Sequence, residues 1–236
     1  MTQKKTAASG GGMRGFYALL GVVAIAGIGA LGYSVMGKSA KAATEPVNVA
    51  GLEDPRALFQ KAEGVTVGDP SAPVKLIVFS DYMCPYCGQF SLQVKPLLLA
   101  NEVKAGKLQL VFYDFPLGGA HKHSFLAARA ARCAGDQGKF WEFHDVLYGQ
   151  QSAWSFKPSA PVKDFVGYAS QVGLEQGAFE SCLNSDKYAD IVTANKMLGE
   201  QLGVNATPTV IINNHRVRNP LDYKELSALV AQESPN

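Results

Sequence analysis

The chain has 236 residues, 47% of them hydrophobic and 18% charged, which excludes a disordered polypeptide and provides for one core of ordinary size. Its formal charge of +2 is concentrated at the start. Lys4, Lys5, Arg14, Lys38 and Lys41 precede Thr44 with no acidic residue among them, and the remainder carries 17 basic against 20 acidic residues. No basic stripe is left to bind nucleic acid.

Residues 1–14 are polar and read as a cytoplasmic segment. Residues 15–37 carry no charge, and the 21 residues Phe16–Met36 are long enough to cross a bilayer core. Basic residues ahead of that stretch place the downstream chain outside the cytoplasm. Two readings stand: a cleaved signal peptide, for which Ala40-Lys41-Ala42 offers a cut, and an uncleaved signal-anchor, which the length favours. Both deliver the domain to a compartment where disulfides are made and kept. Residues 38–64 read as a linker, with a short amphipathic helix from Pro55 to Glu63 carrying Leu58 and Phe59. Residues 65–236 are then the globular domain.

After the turn Gly68-Asp69-Pro70-Ser71-Ala72-Pro73, the run Val74–Phe79 is short, apolar and β-branched, so it predicts an inner strand. It leads into Cys84-Pro85-Tyr86-Cys87. Pro85 suits the first turn of a helix, where its missing N–H costs nothing. A thiol at that position meets the positive end of the helix dipole and unpaired backbone N–H groups, both of which favour thiolate. The second thiol, three residues on, shares the helical face and can attack a mixed disulfide formed at the first. A zinc site would need two more ligands, but Cys133 and Cys182 are single and 49 residues apart, with no histidine pair at ligand spacing. A purely structural bridge across so tight a loop would restrain little chain entropy. The spacing therefore predicts a dithiol redox centre.

The helix from Pro85 is expected to run to about Gly106 with a kink at Pro96, followed by a strand over Lys107–Tyr113. From about His121 to Leu202 the pattern is helical, with segments near 121–134, 138–149, 161–172, 175–184 and 187–202. Strand character returns at Thr209–Ile212, then a turn at Asn213-Asn214, a short strand near His215–Arg218 and a last helix capped by Asp222. Taken alone, Thr207-Pro208 reads as an ordinary turn proline.

Four segments occur in order: Phe79–Cys87, Asp114-Phe115-Pro116-Leu117, Gln137–Asp145 and Gly203–Thr209. Together they resemble the DsbA-like branch of the thioredoxin superfamily, with its exported bacterial thiol:disulfide oxidoreductases, over roughly 65–232. The resemblance implies an α/β thioredoxin fold with an inserted helical subdomain at about 119–202, preceded here by a single N-terminal transmembrane or signal helix. It implies that Cys84 is the nucleophile, Cys87 the resolving thiol and Pro208 a cis proline facing them. Thr207 would then offer backbone groups to a substrate segment.

The direction of electron flow is left open. The dipeptide Pro85-Tyr86 lacks the histidine of the most oxidising relatives, and Thr207 before the proline looks more like the isomerase and reductase branches. Val78 stands where many relatives bury a carboxylate. Asp81 is the nearest carboxylate and reads as a solvated turn residue. Cys133 and Cys182 are expected to pair in a structural disulfide, as in part of this subgroup; the other reading is two buried free thiols. His144 reads as a packed helical residue with one satisfied nitrogen, His121 and His123 as exposed, His215 as part of a hairpin turn, and Phe140, Trp141 and Phe143 as an apolar seam.

The expected function is a dithiol oxidase at the extracytoplasmic face of a bacterial cell envelope, membrane-anchored or released after cleavage. It would be a monomer without metal or organic cofactor. Its substrates would be unfolded or partly folded exported proteins with cysteine thiols, and its partner a membrane quinone-linked reoxidase. A disulfide isomerase or reductase with its own membrane reductase partner is the nearest alternative. A non-catalytic chaperone or metal-binding module is the alternative of another class.

Overall fold

The computed structural model describes residues 43–234. The expected membrane or signal helix at 15–37 lies outside the described residues, among which no helix is long and apolar enough to cross a membrane.

Five strands form one mixed sheet in the order β1-β3-β2-β4-β5: β1 Val65–Val67, β2 Val74–Ser80, β3 Leu108–Asp114, β4 Thr209–Ile212 and β5 His215–Arg216. β2 is parallel to β3, in register from Val74 opposite Leu108 to Ser80 opposite Asp114, and antiparallel to β4. The run read as an inner strand is therefore central, with Val74, Leu76, Val78 and Phe79 buried. β1 had no counterpart among the strands expected from sequence. Its three residues are too few to show a period, and it pairs antiparallel with the outer side of β3. Gly68 ends it at φ +103°, where an added Cβ would stand 2.7 Å from the Leu108 carbonyl oxygen.

Residues 43–64 are stitched to the domain instead of forming a tether. Helix α1 (Pro55–Lys61), capped by Asp54, buries Leu58 against Ala194 and Leu198, while Phe59 is 70% exposed. The Val47 N–H donates to Thr193 Oγ1 at 3.1 Å, and Glu63 exchanges hydrogen bonds with Asn195 through both N–H and C=O. The segment is held by the apolar contacts of Leu52 and Leu58 and also by backbone groups matched to distant polar side chains, the part that local patterning cannot show.

Helix α2 spans 85–103 and stops short of Gly106. It alternates α turns (Pro85–Gln89, Lys95–Leu98) with wider π turns (Phe90–Val94, Leu99–Val103). The first π turn ends just before Pro96, and the Lys95 N–H reaches back to the Phe90 carbonyl.

Between β3 and β4 lie α3 (Ser124–Gly135), α4 (Phe140–Gly149), the short α5 (Gln151–Trp154), α6 (Val162–Gln171), α7 (Gln176–Asn184) and α8 (Ala189–Gln201); α9 (Tyr223–Glu233) closes the described chain. α3 is almost wholly buried and alanine-rich, so two arginines within it need internal partners. Arg132 has them in Asp114 Oδ2 and the Glu63 carbonyl, each at 2.6 Å; Arg129 has them in Asp186 and the Leu183 carbonyl. Phe140 and Phe143 are buried and Trp141 partly so, as the apolar seam requires.

Candidate active site

β2 ends at Ser80, and four residues later the chain turns into α2. Cys84 is the N-cap residue, with extended backbone (φ −74°, ψ 121°), and Pro85 opens the helix. The Cys84 N–H closes a turn onto the Asp81 carbonyl at 3.1 Å, and its own carbonyl accepts the Gly88 N–H at 3.1 Å. The Cys84 sulfur thus sits over the first turn, where backbone N–H groups have no helical partner.

The two thiols are both free, and their surroundings differ. Cys84 keeps 6% of its surface and Cys87 none. Hydrogen bonding from the Cys87 thiol, then from Thr207 and from the N–H groups of Cys87 and Tyr86, outweighs burial and lowers the Cys84 pKa to about 6. Burial, then the hydrogen bond and charge of Cys84, push Cys87 well above the ordinary thiol range; Ser80 and the Asp81 N–H, 3.5 Å from the sulfur, offset this only in part. Of the two, Cys84 is the thiol that ionises.

The Thr207–Pro208 bond is cis, and the Thr207 carbonyl lies 3.3 Å from the Cys84 sulfur. Thr207 and Cys84, 123 residues apart in sequence, therefore meet at one edge, with Pro208 and Cys87 beside them. Tyr86 projects from it, 63% exposed. Cys133 and Cys182 lie in the helical region, joined by a disulfide between α3 and α7.

Three polar readings change. Asp81 is buried, not solvated: its carboxylate accepts the Met83 N–H at 2.6 Å and the Leu117 N–H at 2.7 Å. Those N–H groups come from loops whose approach the sequence does not reveal. His123 is buried with Nε2 2.8 Å from the Lys157 carbonyl, and His121 is half-buried beside Asp81. His144 has partners at both nitrogens, Tyr82 and Ser91, and burial followed by the Lys95 charge holds it well below the usual imidazole range.

Two supports had no sequence signal. Gln151 Nε2 donates to the carbonyls of Tyr82 (2.8 Å) and Cys84 (3.1 Å), pinning the motif loop from α5. Tyr148 pairs with the Ser80 hydroxyl at 2.8 Å and also reaches the Asp81 carbonyl at 3.3 Å.

Comparison with known proteins agrees with this geometry. A family model described as thioredoxin matches residues 60–232. A Na(+)/H(+) antiporter NhaA 1 from Salinispora arenicola is 34% identical over 164 residues, which are 69% of this chain and 24% of the antiporter. The chain thus spans about a quarter of the length of such curated relatives. The disulfide bond formation protein D of Bacillus subtilis is 26% identical over 171 residues, covering 71% of this chain and 75% of that one. The crystal structure of oxidised BdbD from Bacillus subtilis superposes with a TM-score of 0.65 at 21% identity, over 82% of this chain and 98% of that one. The chain belongs to the thioredoxin family and shares its fold with BdbD.

Proposed function

We propose that this protein is an exported dithiol oxidase that introduces disulfides into extracytoplasmic polypeptides through Cys84 and Cys87. The observation that carries the reading is the opposite treatment of two sulfurs one helical turn apart: Cys84 favoured as thiolate, Cys87 buried and favoured as thiol. In the oxidised protein a substrate thiolate attacks the Cys84 sulfur. The Cys84–Cys87 bond breaks, and Cys87 leaves with the electron pair and takes up a proton. A second substrate thiolate then attacks the substrate sulfur of the mixed disulfide, closing the new disulfide and releasing Cys84 as thiolate. Two electrons pass from substrate to protein. Stabilising that leaving thiolate makes the last step favourable.

A pKa of about 6 lies between the values of about 7 for thioredoxin and about 3.5 for DsbA, so the oxidising power should also be intermediate. Thr207 would present its backbone to an extended substrate strand, because its carbonyl already faces the nucleophile. The remaining parts of the proposal are a signal-anchor tether, a membrane quinone-linked partner that restores the disulfide, and action as a monomer. The reductase or isomerase reading draws on Thr207 and Tyr86 and needs the dithiol to be kept reduced.

Mixing the oxidised full chain with a reduced two-cysteine peptide tests the direction. Oxidation is expected to form one peptide disulfide per protein at equilibrium. An oxidised protein that leaves the peptide reduced would turn the assignment to the reductase.

A further inference from the structure

Cys87 has no accessible surface, so water does not meet the negative charge that its sulfur carries when the Cys84–Cys87 bond breaks or forms. Among the described residues one backbone donor reaches that sulfur, the Asp81 N–H at 3.5 Å. The Ser80 hydroxyl, which also acts on Cys87, is shared with the Tyr148 hydroxyl at 2.8 Å.

The direction of the Asp81 N–H is fixed from three sides. The Ser80–Asp81 peptide is trans, and its carbonyl accepts the Phe115 N–H at 2.8 Å, which leaves the opposite, N–H end of the same plane for Cys87. The Asp81 carbonyl accepts the Cys84 N–H at 3.1 Å and the Tyr148 hydroxyl at 3.3 Å. The Asp81 carboxylate has no accessible surface and is clamped between the Met83 N–H at 2.6 Å and the Leu117 N–H at 2.7 Å. Its remaining neighbour is His121, 3.0 Å from Oδ2 to Nδ1.

We propose that Asp81 is a positioning residue for the resolving sulfur: its clamped peptide N–H meets the thiolate that Cys87 becomes when the Cys84–Cys87 bond breaks. In that step a substrate thiolate bonds to the Cys84 sulfur, and Cys87 leaves with the electron pair of the old bond. The Asp81 proton stays on its nitrogen; the proton that Cys87 takes up afterwards comes from water. In the reverse step the same N–H steadies the Cys87 thiolate before it attacks Cys84 and expels the substrate. The two sulfurs are thus served by different donors: Cys84 by the start of α2, Cys87 by one peptide at the end of β2.

Glutathione disulfide and the reduced full chain test this, with acid quenching and mass spectrometry following the glutathione adduct of Cys84. The adduct forms by attack of Cys84 and disappears by attack of Cys87, so one experiment reads both sulfurs. The inference rests on the dithiol reading of the site; adduct formation on the unsubstituted chain reports that reading, and disappearance reports this one. Asp81→Asn leaves one of the two clamping N–H groups without an acceptor. It is expected to slow disappearance roughly three- to tenfold while formation stays within about twofold. The carboxylate charge opposes a neighbouring thiolate, so a variant acting only through lost charge would speed the step instead. Unchanged or faster disappearance, equal slowing of both steps, or the same slowing in His121→Gln would overturn the proposal. Amide NMR of the unsubstituted chain supplies a second test that needs no variant. The Asp81 amide proton should lie further downfield in the reduced protein than in the oxidised one, because a disulfide sulfur is the poorer acceptor; equal shifts would also overturn it.

Discussion

The chain uses cysteine pairs in two ways, and their positions on helices separate them. Cys84 caps the start of α2, where unpaired N–H groups and the positive dipole end favour a thiolate. Cys133 and Cys182 occupy the last turns of α3 and α7, where carbonyls point outward and a thiolate finds no support. The second pair bridges 49 residues between two helices with Cα atoms 5.8 Å apart, so it restrains a long loop of unfolded chain. The first spans three residues and restrains almost none. One element thus supplies chemistry at one site and tertiary cohesion at the other.

The comparison breaks most visibly if Cys84 is replaced. Cys84→Ala should reduce exchange to the uncatalysed background, whereas Cys87→Ser should accumulate a mixed disulfide with substrate, detectable as a mass adduct. Replacing Cys133 and Cys182 by serine should leave exchange in place and cost about 4 kcal/mol in urea unfolding, on the chain-entropy account of a loop this long. An unchanged unfolding midpoint would remove the structural role of that bridge. Leu58→Ala should behave like the bridge and unlike the dithiol. It would cost about 2–5 kcal/mol while the Cys84 titration stays put, because α1 packs on α8 and away from the motif.

The smallest effect is a pH dependence peculiar to the reduced form. Folding lowers Cys84 from an unfolded value of about 8.5 to about 6. Its ionisation therefore contributes stability that is present above the unfolded value and lost as pH falls through about 6. Cys87, raised by burial, works in the opposite sense above about pH 8.5, so the gain belongs to the window between. Reduced chain should become more stable than Cys84→Ser on going from pH 6 to 8, and alkylation of Cys84 should be half-maximal near pH 6.

Legibility from sequence depended on how local each signal is. β2 and the motif were readable because an apolar run, a proline and two cysteines lie within fourteen residues. β4 was readable as a short β-branched run, and α3, α4 and α6–α8 carried periods long enough to recognise, while the four-residue α5 did not. The cis Thr207–Pro208 bond came only from family resemblance, and its carbonyl does meet Cys84. Asp81 and His123 were misjudged because their burial is imposed by partners 36 and 34 residues away, Leu117 and Lys157, which no local rule anticipates. Gln151 escaped notice for the same reason: an ordinary polar residue holds the loop through two carbonyls.

The equilibrium of the Cys84–Cys87 couple with glutathione tests the central claim most directly. A potential well above thioredoxin's, about −270 mV, and displaced toward DsbA's, about −120 mV, is the result expected of an oxidase whose nucleophile is a stabilised thiolate. A potential at or below about −270 mV would contradict it.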